Sequence, residues 1–593
     1  MIAAGAPPAR AWRPRSALAE HPHSGSEREG SLGLPPVVRA FLRARGIATE
    51  DAARRYLRPR VEHLGPPLEL ADLHVAVARL GAAIDAGEKI FVHGDYDVDG
   101  MCGAALYARV IRRLGGRVVA HVPHRLRDGY DLGRSGIDRA AGVGAGVLLT
   151  VDCGTMAHEA VAAAAGRGID VIVTDHHAVG ASLPDCVAVV NPSRTDCGYG
   201  QPLCGTGVAF KVCEGLSAAR GASRDDLLWE LDLVALATVA DLVPLAGENR
   251  VLARYGMRVL ANTRNAGLRA LLNECGADPA GLRTRDLSHG LAPRLNAVGR
   301  LEDAADGLAL LLEDDPAAAA AAARRLGEVN RRRQDLDRAT LEEALAGIAS
   351  VYDPASGRSV VVAARGWPPG VIGIVASRLV ETLHRPAFVI SLPEAGTGPA
   401  RGSGRSIPGF DLVGALAETA PLLLRYGGHA MAAGLDIEPD LIAEFRRAFE
   451  EAARRSLPDD RLVPSVPFDV EAPLETVLDV FAPIQRHMEP FGVGNPTPSF
   501  LCSGLRVVGA PRVVGRGHLR LRLEQGGRAV DAIGFHLADR CEGLEAGTRL
   551  DAVVQVREEF WRGRRRRQLK LVDLRPSPVA GRASHAALPS RAT

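Results

Sequence analysis

Four short apolar runs between residues 68 and 250 alternate with amphipathic stretches, and this alternation constrains the fold more than any other feature of the 593-residue chain. The runs are KIFVH (89–93), GVLLTVD (146–152), DVIVTD (170–175) and VAVVNP (187–192). Each has the length and composition of a buried strand, and helical sequences such as MAHEAVAAAAGRG intervene. The series predicts an α/β fold with a parallel sheet and helices on both faces.

The rest of the chain predicts further domains, because 593 residues are too many for one core. Residues 465–576 switch to a period of two, with a hairpin turn at Gly526 and Gly527, which predicts a small all-β barrel. The predicted organisation is a disordered segment at 1–33, a first α/β domain with a helical extension at 34–315, a connecting helix at 316–346, a second α/β domain at 347–455, the barrel at 465–576 and a loose tail at 577–593.

The composition predicts a soluble cytoplasmic protein. Apolar residues make up 47% and charged residues 24% of the chain, and the net charge is +2, so any nucleic-acid surface must be local. The nine cysteines lack the spacing of a zinc or redox motif, as expected in a reducing compartment. We find no apolar signal-peptide segment and no run of 18 apolar residues, so we expect no membrane association.

Acids and imidazoles follow three of the apolar runs, and a further acid lies in the apolar segment LVALATVADLVPL. They are Asp95, Asp97, Asp99, Asp152, Asp175, His176, His177 and Asp241. The carboxyl ends of parallel strands share one edge of the sheet, where open α/β folds bind ligands, so these side chains are expected to meet. Carboxylates with one or two imidazoles suit Mn²⁺ or Mg²⁺.

A structural explanation competes with this one. A single aspartate between a strand and a helix is more often a helix cap than a metal ligand. Four elements carrying such acids exceed what capping needs, which favours a shared site. Adjacent histidines at a strand end point to opposite faces, so only one of them is expected to ligate. Tyr96, Met101 and Cys153 are expected to serve packing.

The motifs HGDYDVDG (93–100), TVDCGT (150–155), TDHH (174–177) and VADLVPL (239–245) resemble, in this order, those of the DHH phosphoesterase superfamily. Five further segments resemble the RecJ family of bacterial exonucleases, which belongs to this superfamily. They are PRLNAVGRLEDA (293–304), GVIGIVASRL (370–379), GSGRS (402–406), YGGHAMAAG (426–434) and PFGVGNPTP (490–498). The resemblance implies a DHH domain, a DHH-associated domain and an oligonucleotide-binding barrel. It also implies 5′→3′ degradation of single-stranded DNA to mononucleotides, in repair and recombination.

The resemblance further implies two Mn²⁺ or Mg²⁺ ions. Their ligands would be Asp97, Asp99, Asp152, His176 and Asp241, with Asp152 bridging both ions. Asp95 and His177 would complete the catalytic set, and they would join His93 and Asp175 in orienting the ligands or approaching the phosphate.

Substrate contacts are implied as well. Ser403, Arg405 and Ser406 of GSGRS and His429 of GGH would clamp a phosphate, and both segments are expected to be glycine-rich turns. Arg294, Asn296 and Arg300 would hold the DNA strand nearer the junction of the two lobes, and Arg125 would approach the terminal phosphate.

Two positions depart from the family pattern. Pro368 stands where the family has histidine in a Trp-His-Pro-Gly motif, and Asp131 stands where glycine is usual. In the barrel, GHLRLRL (517–523) and WRGRRRRQLK (561–570) are basic. An arginine run alone is more often a solvated face, but with the family resemblance these segments predict a nucleic-acid track.

Two alternatives to the exonuclease remain open. One is a short-oligonucleotide or cyclic-dinucleotide phosphodiesterase of the same superfamily, which would generally lack the barrel. The other is a non-catalytic DNA-binding scaffold, which would have lost metal ligands. For the exonuclease, we expect a monomer, with single-stranded DNA as substrate and with a single-strand-binding protein and a helicase as candidate partners.

Overall fold

The structure is a computed structural model that describes residues 10–18, 33–125, 127–129, 131–394, 396, 398–515, 517–561 and 564–577. The chain forms two units. The larger unit comprises Pro59–Leu462 and Pro490–Pro496, and the smaller unit comprises Met1–Arg58, Val463–Glu489 and Thr497–Thr593. Within the described ranges, no helix combines the length and apolar character needed to cross a membrane.

The first sheet of the larger unit is parallel, as predicted, and has five strands. In order across the sheet they are Arg117–His121, Lys89–Gly94, Val147–Val151, Asp170–Thr174 and Ala188–Val190. Four of them lie in the predicted apolar runs. The sequence does not predict the edge strand Arg117–His121, because its run is short and its side chains are only partly buried.

Alternate side chains of this sheet enter two separate cores. Val92 and Leu149 pack with the helices Val98–Arg113 and Gly205–Ala219, whereas Phe91 and Leu148 pack on the opposite face. That face is covered by Arg134–Gly142 and His158–Ala165. Because both faces are buried, the strands are nearly continuous apolar runs.

The first α/β domain is called the first lobe below. Its remaining helices precede the sheet in the chain or follow it up to residue 315. They are Leu73–Asp85, Arg224–Leu228, Leu231–Ala240, Gly247–Ala261, Ala266–Glu274, Thr284–Asp286, Ala292–Leu301 and Ala305–Leu312.

The predicted connecting helix is observed as Pro316–Gly347. Asp315 caps it by accepting a hydrogen bond from Ala318 N at 2.7 Å. Ala319 and Leu326 lie in the core of the first lobe, and Ala344 lies in a core of the second lobe. One helix therefore contributes to the cores of both lobes.

The second lobe contains a mixed five-stranded sheet. Its strands, in order, are Arg425–His429, Ala432–Ile437, Ala400–Arg405, Ala387–Leu392 and Val360–Arg365, of which only the last two pair in parallel. The helices Ile372–Leu383, Leu412–Glu418 and Ile442–Ser456 accompany it. The expectation that GSGRS and GGH form turns is wrong, because GGH and all of GSGRS except Ser406 lie in strands.

Close packing explains the glycines of that sheet. A Cβ atom at Gly404 would lie 2.4 Å from the ring of Phe388 on the neighbouring strand, and one at Gly402 would lie 2.8 Å from the side chain of Leu435. These glycines therefore make room for large cross-strand neighbours and do not provide flexibility.

The smaller unit is built around the predicted barrel. The strands Phe500–Val507, Arg549–Trp561, Arg564–Pro576, Arg528–Gly534 and His518–Gln525 follow one another in the sheet, and the last pairs with the first to close it. Val470–Glu471 and Arg512–Val514 are added at its margins. Gly526 and Gly527 form the predicted two-residue hairpin turn, with φ of 59° and 81°. The predicted fold class is confirmed.

The N-terminal segment corrects two expectations. Ala11–Pro14 is a strand that pairs in parallel with Ser465–Phe468, although disorder is predicted for residues 1–33. Residues 1–9 and 19–32 of that segment lie outside the described residues, and so do residues 578–593 of the predicted tail. The helices Pro36–Ala44 and Glu50–Leu57 belong to the smaller unit, although the first α/β domain is predicted to begin at residue 34.

Aromatic packing explains where these helices lie. The fully buried Phe41 meets Phe481 edge to face with ring centroids 5.0 Å apart, and Phe481 meets Phe500 of the barrel at 4.6 Å. Arg45 bonds Asp469 at 2.9 Å. Phe41 and Arg45 are each more than 400 positions from the partners Phe481 and Asp469, so local sequence patterns cannot reveal these contacts.

We predict that Phe41→Ala destabilises the smaller unit by about 3–5 kcal/mol, because it removes a buried ring and leaves a cavity. Hydrogen–deuterium exchange of the barrel strands would report the loss as faster exchange. Arg43→Ala on the same helix is the control, since Arg43 is exposed and should change stability by less than about 0.5 kcal/mol. Equal exchange in both variants would contradict the assignment of this helix to the barrel core.

Candidate active site

The first aspartates of the site follow a strand that turns directly into a helix. The strand Lys89–Gly94 leads into Val98–Arg113, and a Cβ atom at Gly100 would lie 2.2 Å from Asp95 N, so only glycine allows this close turn. Asp97 is the N-cap: its Oδ1 accepts from Asp99 N at 2.9 Å and from Gly100 N at 3.1 Å. The cap uses one carboxylate oxygen and leaves the other for the cluster described below.

Asp99 is held by the start of a second helix. Its two carboxylate oxygens accept from Gly205 N at 2.6 Å and Thr206 N at 2.7 Å, and its exposure is 1%. These backbone donors are the first N–H groups of the helix Gly205–Ala219, and the helix dipole favours a negative charge there.

Asp152 lies at the end of the next strand in a left-handed conformation, with φ of 65°. Its Oδ1 is 3.0 Å from Nε2 of His176. The same imidazole nitrogen lies 3.9 Å from Asp99 Oδ2 and 3.7 Å from Asp241 Oδ2. His176 is therefore surrounded by three carboxylates from three different elements.

Asp241 and His177 complete the cluster. Asp241 ends the helix Leu231–Ala240, so it lies at a helix terminus and not inside an apolar helix as its sequence context suggests. His177 Nδ1 is 2.7 Å from Asp175 Oδ1. Burial disfavours both charges, but this ion pair outweighs it: the pKa of His177 rises to about 9 and that of Asp175 falls to about 2.

The oxygen and nitrogen atoms of these side chains form three groups, each within 4.8 Å. The groups are Asp95, Asp97 and Asp152; Asp99, His176 and Asp241; and Asp152, His176 and His177. Asp152 belongs to two of the groups, which places it between them. Within the described part of the chain, the buried Oδ1 of Asp95 has no hydrogen-bond partner.

Asp95, Asp97, Asp152 and Asp241 hold protons more tightly than isolated acids. Burial raises the pKa of Asp95 and Asp152 well above the usual range, and Asp97 and Asp99, respectively, raise them further. Burial, with Asp99 and Asp97, raises the pKa of Asp241 to about 8. A divalent cation would reverse these shifts by favouring the ionised forms. The donor set and the unpartnered Asp95 oxygen therefore fit Mn²⁺ or Mg²⁺.

Acids and arginines line the same cavity of about 230 Å³. Its lining includes Asp97, Asp152 and Asp241 together with Arg125 and Arg300. Burial lowers the pKa of Arg300 to about 10, and repulsion from Arg125, Arg333 and Arg405 adds to this. Burial, with Arg125, also lowers the pKa of Arg405. Guanidinium groups that repel one another at close range form a site for an anion.

The helix Ala292–Leu301 contributes one wall of this cavity. Asn296, Gly299 and Arg300 line it, at the spacing of one helix face. Asn296 Oδ1 accepts from Val98 N at 3.1 Å, which fixes this helix against the first motif. Arg300 reaches the second lobe through a bond from Nη1 to Gly370 O of 3.1 Å.

Other predicted substrate residues are placed differently. Arg294 donates to Gly290 O at 2.8 Å and does not belong to the described cavity lining. Ser406 is buried, and its hydroxyl donates to Phe410 O at 2.8 Å. Ser403 and Arg405 share a face of the sheet with the exposed His429, because Arg405 and His429 are both opposite Ala432.

Two features of the site escape the sequence argument. Tyr96, expected to serve packing, lines the cavity, and the Arg125 guanidinium lies 4.9 Å from the centre of its ring. Asp131 adopts φ of 72°, the conformation that favours the family glycine, and its Oδ1 accepts from Gly154 N at 2.7 Å. Aspartate tolerates this conformation, so the departure at Asp131 is accommodated without moving the chain.

Comparison with known proteins gives three family matches. They are the DHH family N-terminal domain at residues 89–238, the DHHA1 domain at 357–455 and the RecJ OB domain at 468–573. A protein of Salmonella typhimurium named single-stranded-DNA-specific exonuclease RecJ is 35% identical, over 92% of this chain and 96% of its own. A protein of the same name from Bacillus subtilis is 33% identical, over 91% of this chain and 68% of its own.

The solved structures agree with the sequence relatives. The crystal structure of RecJ in complex with Mn²⁺ from Thermus thermophilus matches with a TM-score of 0.77 and 31% identity, and covers 92% of this chain and 79% of that one. Sequence and fold thus agree over nearly the whole length. The chain belongs to the RecJ family.

Proposed function

We propose that this chain is a single-stranded-DNA-specific exonuclease that hydrolyses phosphodiesters from the 5′ end with two Mn²⁺ or Mg²⁺ ions. The observation that carries the proposal is the cavity in which a carboxylate–imidazole cluster faces Arg125 and Arg300. The acids suit cations and the arginines suit phosphate, and phosphodiester hydrolysis needs both in one cavity.

The relatives support this activity. Curated relatives covering most of the chain are named single-stranded-DNA-specific exonucleases, and related RecJ structures are described with Mn²⁺ and with Mg²⁺. We infer that Asp97, Asp99, Asp152, His176 and Asp241 would hold the ions, with Asp152 shared between them. Bound ions would activate water and stabilise the charge that develops on the phosphate and the leaving oxygen.

The chain's own residues would orient the substrate. The helix Ile372–Leu383 begins beside Ser403 and Arg405: a Cβ atom at Gly373 would lie 3.0 Å from Ser403 Oγ and 3.1 Å from Arg405 Nη2. The N-terminal end of that helix and the Arg405 guanidinium would together receive a terminal phosphate. His177 lines the cavity, and its protonated imidazole, paired with Asp175, can donate a further hydrogen bond to a phosphate oxygen.

The barrel supplies a surface for the rest of the strand. Arg512 and Arg520 are exposed and directly opposite each other on neighbouring strands. Like charges in this position destabilise a sheet unless an anion lies over them. Lys570 lies on the same face of the sheet as Arg520. Burial, together with Arg557, lowers the pKa of Lys570. This face is the proposed track for DNA phosphates. The predicted arginine run overlaps residues 559–565, whose side chains are outside the described part of the structure.

The two alternatives are less well supported. A non-catalytic scaffold gains nothing from a buried acidic cluster that destabilises the fold without a cation. A phosphodiesterase for short oligonucleotides needs no barrel with facing arginines. The decisive experiment is hydrolysis of end-labelled single strands of both polarities, with and without Mn²⁺. Activity confined to dinucleotides, or activity independent of added metal, would contradict the proposal.

Several finer points stay predictions. They are the monomeric state, the cytoplasmic location, and association with a single-strand-binding protein and a helicase.

Asp152→Asn is expected to reduce hydrolysis by at least about 100-fold, because it removes the carboxylate charge that two of the three ligand groups share. Asparagine is chosen because it keeps the shape and tolerates the left-handed backbone, so the fold should persist. Rates at matched Mn²⁺ and Mn²⁺ affinity by calorimetry are the measurements. The exposed Asp185→Asn is the control; if both variants retain full activity, the two-ion assignment fails.

Arg405→Ala should lower the cleavage of 5′-phosphorylated strands relative to 5′-hydroxyl strands by about one to two decades, the value of a charge-assisted hydrogen bond. Arg401→Ala is a matched control, since Arg401 lies on the same strand and face but pairs with Asp436. The ratio of the two rates is the measurement. An unchanged ratio in Arg405→Ala would show that the end is sensed elsewhere.

Replacing Arg512 and Arg520 together by alanine should reduce the slope of log affinity against log salt by about 1.4, since each lost phosphate contact on a single strand is worth about 0.7. Binding of a long single strand measured between low and moderate salt gives the slope. Arg506→Ala is the control, because Arg506 is already neutralised by Glu524 at 2.7 Å. A slope equal to that of the unaltered protein would exclude this face as the track.

A further inference from the structure

Arg125 lies in a segment without regular secondary structure, between the strand Arg117–His121 and the helix Arg134–Gly142. Its guanidinium reaches the cavity that contains the acidic cluster. Among the described residues, its side chain makes no hydrogen bond or ion pair, and its guanidinium carbon lies 4.9 Å from the centre of the Tyr96 ring. A loop arginine that lines a cavity in this way needs something to hold its orientation.

The charges around Arg125 do not provide that hold. Arg300 and Arg405 are close enough to Arg125 for mutual repulsion to lower their pKa, so they push the guanidinium away. Asp95 attracts it electrostatically but lies beyond ion-pair distance. The electron-rich face of the Tyr96 ring is an attractive surface that lies against the guanidinium, and an aromatic face binds a guanidinium through its plane.

Tyr96 is itself fixed by its surroundings. It lies between Asp95 and Asp97 in the turn that carries the first motif, and most of its side chain is buried. The helix Ala292–Leu301 packs on its backbone, since a Cβ atom at Gly299 would lie 2.8 Å from Tyr96 O. The ring is therefore tied to the same rigid turn as the predicted metal ligands, whereas Arg125 belongs to the loop.

We propose that Tyr96 is a positioning residue that holds the Arg125 guanidinium over the cavity, so that it meets the 5′-terminal phosphate at a fixed distance from the metal cluster. The inference rests on the proposed function and adds to it a determinant of end recognition. Tyr96 acts through Arg125, so its loss should affect the terminal phosphate and leave cleavage of the phosphodiester itself less changed.

The test compares 5′-phosphorylated and 5′-hydroxyl strands of one sequence in the full-length protein with Mn²⁺. Tyr96→Leu keeps an apolar side chain but removes the ring, and should lower the ratio of the two kcat/KM values by about 2- to 30-fold, the range of a cation–π contact. The loss should fall mainly in KM for the phosphorylated strand. Tyr96→Phe should preserve the ratio, because the ring remains.

Three comparisons separate positioning from structural damage. Tyr96→Leu combined with Arg125→Ala should lower the ratio no further than Arg125→Ala alone, since both act on one contact. Tyr255→Leu removes another arginine–tyrosine contact of the larger unit, that with Arg258 at 5.1 Å, and should leave the ratio unchanged. Should Tyr96→Leu not fold, phenylalanines of increasing fluorination at position 96 keep the shape and weaken the ring face, and the ratio should fall stepwise.

Opposite outcomes would overturn the inference. They are an unchanged ratio in Tyr96→Leu, additive effects of Tyr96→Leu and Arg125→Ala, or no trend with fluorination. Each presupposes that the unaltered protein cleaves single strands. If the unaltered protein does not cleave them, the proposed function fails instead, and the two failures are distinguishable.

Discussion

Repulsion between buried carboxylates is the constraint on which the larger unit depends. Asp95 and Asp152 lie in one group of side chains and Asp241 in another, and burial with repulsion from neighbouring carboxylates raises the pKa of each. The fold keeps them together because rigid elements fix their backbones: parallel strands end at one edge, and the first N–H groups of helices bond Asp97 and Asp99. A cation converts this unfavourable arrangement into a favourable one, so the same residues that cost stability would provide affinity for metal.

The acidic half of the site is predictable from sequence because it needs only local information. Apolar runs locate the strand ends, and the topology of a parallel sheet brings those ends together. The alternative explanation, that such aspartates are helix caps, is also partly correct. Asp97 caps a helix, and its carboxylate also belongs to the cluster. Fold class follows for the same reason, because period and run length distinguish the α/β lobes from the barrel.

The basic half depends on information that no short segment contains. Arg300 and Arg405 come from different lobes, and the cores that position them share the helix Pro316–Gly347. The glycines of GSGRS suggest a turn, yet their reason is the size of Phe388 and Leu435 on neighbouring strands. Tyr96 likewise looks like a packing residue until Arg125, 29 positions away in the printed sequence, is found against its ring.

The smaller unit is assembled from both ends of the chain, and this affects its synthesis. Trp12 Nε1 donates to Asp573 across 561 positions, and Phe41 packs on aromatic rings of the C-terminal part. At about 5–20 residues per second, about 30 to 110 s separate the emergence of these partners from a ribosome. During that interval the apolar face of the helix Pro36–Ala44 has no barrel to cover it, while the larger unit can already fold. The N-terminal helix of the nascent chain is therefore exposed to unwanted association until the C-terminal part has been made.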